Sequence, residues 1–213
     1  MSTLAEFWGY TSSFIVLILG CALALKVSVF FKLSKKSTVF IYLWHTAFCL
    51  VYLWYISNNG GDALVYYDKA STGEFSLKPG TNAVLMLNSI FVYGLNFSLL
   101  GAFLVNNVFG VLGLMAFYAS LQYATHNKSN YIKTLALVIV FLPSVSFWSS
   151  ALGKDSISFM ATSFALWAAL KLEKRIFLML FAIFMMFLVR PHMAGMIVIA
   201  LAASIMFDSK TSL

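Results

Sequence analysis

Three polar clusters interrupt an otherwise apolar chain, and each carries residue types that could do chemistry. The first is Gly60-Gly61-Asp62, which runs into Ala63-Leu64-Val65-Tyr66-Tyr67. A carboxylate in this position could be a general base, a metal ligand or an acceptor for a sugar hydroxyl. Tyr66 follows Asp62 by about one helical turn, so carboxylate and phenol could share a face. The same Asp62 could instead cap a short interfacial helix, which the two glycines would let leave the preceding span tightly. The second cluster ends the segment Phe141 to Asp155, where Ser149, Ser150 and Gly153 lead to adjacent Lys154 and Asp155. Lys154 could pair with a phosphate while Asp155 orients it. Alternatively, Asp155 caps the next helix, whose N-terminus would itself attract anions. The third cluster is Arg190-Pro191-His192. Arginine suits bidentate recognition of phosphate or carboxylate, and it could also partner Asp155. His192 could donate to a phosphate, act as acid or base, or be structural.

The rest of the chain must hold these clusters. Of 213 residues, 62% are hydrophobic and 10% are charged, with mean hydropathy +0.90. Soluble domains carry about 25% charged residues, so this composition is that of an integral membrane protein. The net charge of +7 sits in short loops between apolar runs, which points to topology signals and not to nucleic acid. Cys21 and Cys49 lie within apolar segments and read as two buried thiols. His45, beside Trp44 in a span, reads as a histidine satisfied inside the bundle, and His126 lies in an inner loop without an assigned role. No soluble-enzyme motif for a metal, a nucleophilic serine or a phosphate loop occurs.

Spans of about 20 apolar residues are expected near 7–31, 38–57, 98–124, 134–150, 156–170, 176–189 and 193–207. The stretch 83–124 is long enough for two crossings. With Lys26 left out as intramembrane, one crossing places Lys and Arg 9 against 4 across the membrane, whereas two crossings reverse the bias to 5 against 8. The steeper asymmetry favours one crossing. Residues 82–96 then form an interfacial or re-entrant helix, and Asn106-Asn107 face the bundle. The expected fold class is an all-α polytopic membrane helix bundle. It has about seven transmembrane helices plus one interfacial or re-entrant helix. Residues 1–213 form a single transmembrane domain, with 58–97 as an extracytoplasmic loop. The N-terminus is outside and the C-terminus cytoplasmic, so all three polar clusters share the outer side.

The stretch Gly61-Asp62-Ala63-Leu64-Val65-Tyr66-Tyr67 resembles the acidic first outer loop of GT-C-type membrane glycosyltransferases. Pro143 to Ser150, together with Lys154-Asp155 and Arg190-Pro191-His192, is similar to a pattern in bacterial members of polysaccharide gene clusters. The resemblance spans roughly residues 58–192. It implies a bacterial inner-membrane enzyme that takes a sugar from a polyprenyl-phosphate-linked donor at the outer face. Asp62 would be the catalytic residue, as the base that activates an acceptor hydroxyl or as a metal-assisting carboxylate, and Tyr66, Lys154, Asp155, Arg190 and His192 would bind substrate. The cofactor is left open, with a divalent metal as one option. Membrane lipids, the lipid-linked sugar and further membrane subunits are the implied partners. The chain is short for that class, which implies a partial member or a membrane module. A polysaccharide polymerase, a scaffold subunit or a transporter component is the alternative.

Overall fold

The apolar runs become helices where the backbone has no other way to satisfy its polar groups. The computed structural model describes residues 3–74 and 76–211 and is all-α among them. The helices are α1 (Thr3–Phe31), α2 (Lys35–Asn59), α3 (Asp62–Ser71), α4 (Thr81–Val92), α5 (Leu99–Ala124), α6 (Asn130–Val140), α7 (Pro143–Ser149), α8 (Lys154–Ala169), α9 (Leu172–Val189) and α10 (Pro191–Thr211). Their boundaries follow local chemistry. The Ser34 hydroxyl accepts from the Ser37 N–H at 3.1 Å and so caps α2. Ser98 caps α5 in the same way, through the Gly101 N–H. Pro143 occupies the first turn of α7, where its missing N–H costs nothing.

Four helical stretches are long and apolar enough to cross a membrane: Glu6–Phe31, Lys35–Asn59, Leu99–Ala124 and Asn130–Ser149. The last of these is broken, because α6 stops at Phe141-Leu142 before Pro143 restarts it as α7. The expected count of seven is not met on length and composition. α8 has 16 residues, and α9 has 18 with non-helical geometry at Arg175.

α5 is the hub. It is apolar on all sides, and most of its residues are buried against α1, α2, α4, α6, α7 and α8. It runs parallel to α1, since Gly9 lies against Ser98 and Gly20 against Val108. It also runs parallel to α8, since Asn106 meets Ser156 and Gly113 meets Met160. The stretch 83–124 is thus one short helix and one long one. α4, the expected interfacial helix, buries Val84, Leu85, Asn88, Ser89 and Val92.

α3 and α4 close one end of the bundle. The backbone leaves α2 through Gly60 with φ 75°, a conformation costly for other residues. Tyr67 donates to the Phe97 carbonyl at 3.1 Å, Trp8 Nε1 donates to the Leu95 carbonyl at 2.8 Å, and the Gly80 N–H donates to the Leu188 carbonyl at 2.7 Å. These bonds tie α3, α4 and the 93–98 turn to α1 and to the end of α9.

Candidate functional site

The closed end collects the sequence-expected residues. Arg190 is the one residue between α9 and α10, and its carbonyl accepts from the Met193 and Ala194 N–H groups that begin α10. Its side chain reaches Asp155, in the first turn of α8, at 2.5 Å. Asp155 therefore does not cap α8. Gly153 holds that position without a side-chain bond, and the carboxylate is drawn off by the arginine. The Arg190 and Asp155 side chains keep 34% and 48% of their exposure, so water screens the pair. Such pairs contribute about 0–1 kcal/mol, which makes it a positioning contact and not a fold anchor.

Tyr66 lies over the α7–α8 turn. A Cβ on Gly153 would stand 3.6 Å from the Tyr66 ring, and the ring also packs with Val84, Ile157 and Val189. Tyr66 thus bridges α3 to the residues preceding Lys154 and Arg190. Lys154 is half-buried at the start of α8, and its side chain has no hydrogen bond or ion pair among the described residues. Asp62 is exposed in the first turn of α3, and Gly61, not Asp62, holds the cap position. The Asp62 and Asp155 carboxylates both lie within electrostatic reach of the Tyr52 phenol. His192 is exposed in the first turn of α10. Next to Tyr66, burial and then the Asp68 carboxylate push the Tyr67 phenol up from its ordinary value. The phenol therefore stays protonated and keeps donating to Phe97.

Beside the ion pair runs a groove of about 340 Å³. Val145, Trp148, Phe159, Met186 and Met193 make it mostly apolar, and Asp155 and Arg190 stand in it. The Ser158 hydroxyl also lines it, 8% exposed and without a hydrogen-bond partner. A buried donor left unpaired costs roughly 1–3 kcal/mol, so it is a natural contact for a polar ligand atom. The run Ser144, Ser146, Ser149, Ser150, Ser156, Ser158 around Lys154-Asp155 is the sequence signal that points to this wall.

Two polar networks lie beneath the site. His45 Nδ1 is 2.6 Å from Asn107 Oδ1, and Asn107 Nδ2 donates to the Thr46 hydroxyl at 2.9 Å. His45 Nε2 is 2.9 Å from the Ser149 hydroxyl, which also approaches the Val145 carbonyl at 2.6 Å. With Nδ1 donating to Asn107, a neutral imidazole accepts at Nε2, and the one Ser149 proton serves two acceptors. Gly110 admits this arrangement. A Cβ there would fall 2.4 Å from His45 Cε1 and from the Ser149 carbonyl oxygen. In the second network, Asn106 Nδ2 donates to Asn88 Oδ1 at 2.7 Å, and the Ser156 hydroxyl donates to Asn106 Oδ1 at 3.4 Å.

Among the described residues, no three His, Cys, Asp or Glu side chains group as metal ligands. A divalent ion at this end would rest on one or two carboxylates together with substrate phosphate oxygens, an arrangement familiar for magnesium. Compared with protein-family models, with characterised proteins and with solved structures, the chain matches none.

Proposed function

We propose that the chain is a membrane glycosyltransferase, or the membrane module of one, that takes a sugar from a polyprenyl-phosphate-linked donor. The observation that carries this reading is the Arg190–Asp155 pair standing in an apolar groove, with Lys154 beside it at the start of α8 and Tyr66 of α3 over the α7–α8 turn. The groove offers an apolar wall to the prenyl chain and a guanidinium to its phosphate. Lys154 adds a second cation without a competing partner, and Asp155 aims Arg190. His192 supplies a further donor from the start of α10.

In this reading an acceptor hydroxyl loses its proton to Asp62. Its oxygen bonds to the anomeric carbon, the bond from that carbon to the lipid phosphate oxygen breaks, and the electron pair stays on the phosphate. Lys154 and Arg190 stabilise the charge that develops there. In this reading α8, α9 and α10 also cross, which makes seven crossings; the parallel course of α8 and α5 and the short turns around α9 support it. The Lys and Arg bias then puts the Asp62 end outside a bacterial inner membrane. Transport is less favoured, because the interior amides Asn88, Asn106 and Asn107 are bonded to one another and to neighbouring side chains.

The test is sugar transfer by purified, reconstituted protein supplied with a polyprenyl-phosphate sugar, together with the Asp62→Asn variant. Asp62 is exposed and caps nothing, so the variant melts as wild type. A general base contributes roughly 10²–10⁴-fold in rate, and transfer falls accordingly. Wild-type transfer by Asp62→Asn would remove Asp62 from the mechanism. No transfer by wild type, with or without partner subunits, would remove the enzyme reading.

A further inference from the structure

The opposite end of the bundle carries a second cavity that the glycosyl-transfer reading does not use. α6 touches the bundle mainly through Ala136 and Val140, four residues apart on one face, and its other apolar side chains stay exposed. This narrow contact leaves open space on both flanks. On one flank, between the end of α5 and the start of α6, lies a cavity of about 470 Å³ lined by Tyr118, Gln122, His126, Lys133 and Leu137 among others. On the other flank a crevice of about 420 Å³ is lined by Phe40, Tyr118, Leu137, Val138 and Phe141. Tyr118 and Leu137 belong to both, so the two spaces adjoin.

The polarity of this joint space is graded. Its mouth has Lys133, His126 and Gln122, and no carboxylate lines either part. Among the described residues, Lys133 makes no ion pair or hydrogen bond through its side chain. The crevice is mostly apolar, with Ser37 its one hydroxyl besides Tyr118, and the Phe40 and Phe141 rings that line it meet at 5.1 Å. From Lys133 to Phe141 is eight residues along α6, or about 12 Å. A cationic mouth over an apolar slot of that depth matches a molecule with an anionic head and a hydrocarbon chain. A water-soluble anion would leave the slot empty, and a neutral lipid would leave Lys133 without a counter-charge. We infer that this space binds one anionic phospholipid of the surrounding membrane, with the phosphate at Lys133 and His126 and an acyl chain in the slot along Leu137, Val138 and Phe141.

Native mass spectrometry of the full-length purified protein tests this, with added phosphatidylglycerol or phosphatidylcholine and with inorganic phosphate as competitor. The wild type retains phosphatidylglycerol in preference to phosphatidylcholine, and inorganic phosphate does not displace it. Lys133→Gln binds phosphatidylglycerol about fivefold more weakly, as loss of one basic residue at an anionic surface implies. His126→Gln lowers the preference further when combined with it. Val138→Trp fills the slot at an exposed position and abolishes retention of both lipids, while the melting temperature shows that the fold is kept. Equal retention of the two lipids by the wild type would overturn the inference. Unchanged phosphatidylglycerol binding in Lys133→Gln or Val138→Trp would do the same. Displacement by inorganic phosphate would reassign the mouth to a soluble anion. None of these outcomes depends on glycosyl transfer at the Asp62 end.

Discussion

Arg190, between α9 and α10, and Asp155, on α8, are more than a third exposed, so their attraction is screened and their value is directional. Exchanging them, as Asp155→Arg with Arg190→Asp, keeps the attraction but turns the guanidinium away from the connection between α9 and α10. The double variant melts within about 1 kcal/mol of wild type and loses retention of a polyprenyl phosphate, measured by native mass spectrometry. Retention at the wild-type level would move the phosphate elsewhere. His45 behaves in the opposite sense. It is fully buried, and His45→Ala strands Asn107 Oδ1, while the Ser149 hydroxyl keeps the Val145 carbonyl as its acceptor. The expected cost is about 1–3 kcal/mol for the stranded group, read as a lowered melting temperature with the α-helical circular dichroism intact. Much at this scale is legible in the sequence. A histidine or an amide pair in an apolar span must find partners, so the burial of His45, Asn106 and Asn107 follows from their setting alone. The partners themselves do not. Ser149 lies 104 residues from His45, and no local spacing connects them.

Helices meet in this bundle where small residues let them. Gly110 brings α2 and α7 together on α5, and a methyl group there would collide with the His45 ring and with a backbone oxygen that cannot move aside. Gly110→Ala is therefore destabilised by at least the roughly 1–3 kcal/mol typical of overpacking, measurable by thermal unfolding in detergent. Ordinary melting of that variant would mean that the three helices sit farther apart. At the other end, the Arg175 guanidinium lies 3.6 Å from the centre of the Trp167 ring and donates to the Trp167 carbonyl, which pins the turn between α8 and α9. Arg175→Lys keeps the charge but loses the flat stacking surface. It lowers the melting temperature nearly as much as Arg175→Ala, and full recovery by lysine would show that charge alone matters. The long elements α1 and α2 can be read directly, since each is a mostly apolar run with a polar turn after it, whereas α5 needs the charge bias to separate it from α4. The break between α6 and α7 is harder to see, because Pro143 lies within a run that is apolar on both sides. The kink at Arg175 is also hidden, because it depends on a tryptophan one turn-crossing away.

For the molecule as a whole, the polar clusters gather at one end and most of the loop cations at the other, which sets the expected orientation. A cysteine placed at the exposed Ser129 is predicted to resist impermeant thiol reagents in intact cells and to react after lysis. Labelling in intact cells would put the Lys133 end outside and invert the topology. Cys49 is fully buried, whereas Cys21 is only half-buried, contrary to the expectation of two buried thiols, so the labelling is done in a Cys21→Ser background. The two amide networks carry a further consequence for how the chain is made. A ribosome delivers residues in order, and α5 arrives with two asparagines that no lipid can solvate. The first partners of Asn107, His45 and Thr46, and the first partner of Asn106, Asn88, are all synthesised earlier. The central helix thus enters a bilayer already stocked with its hydrogen-bonding mates. Ser149 and Ser156 come later and close networks that are half assembled before they emerge.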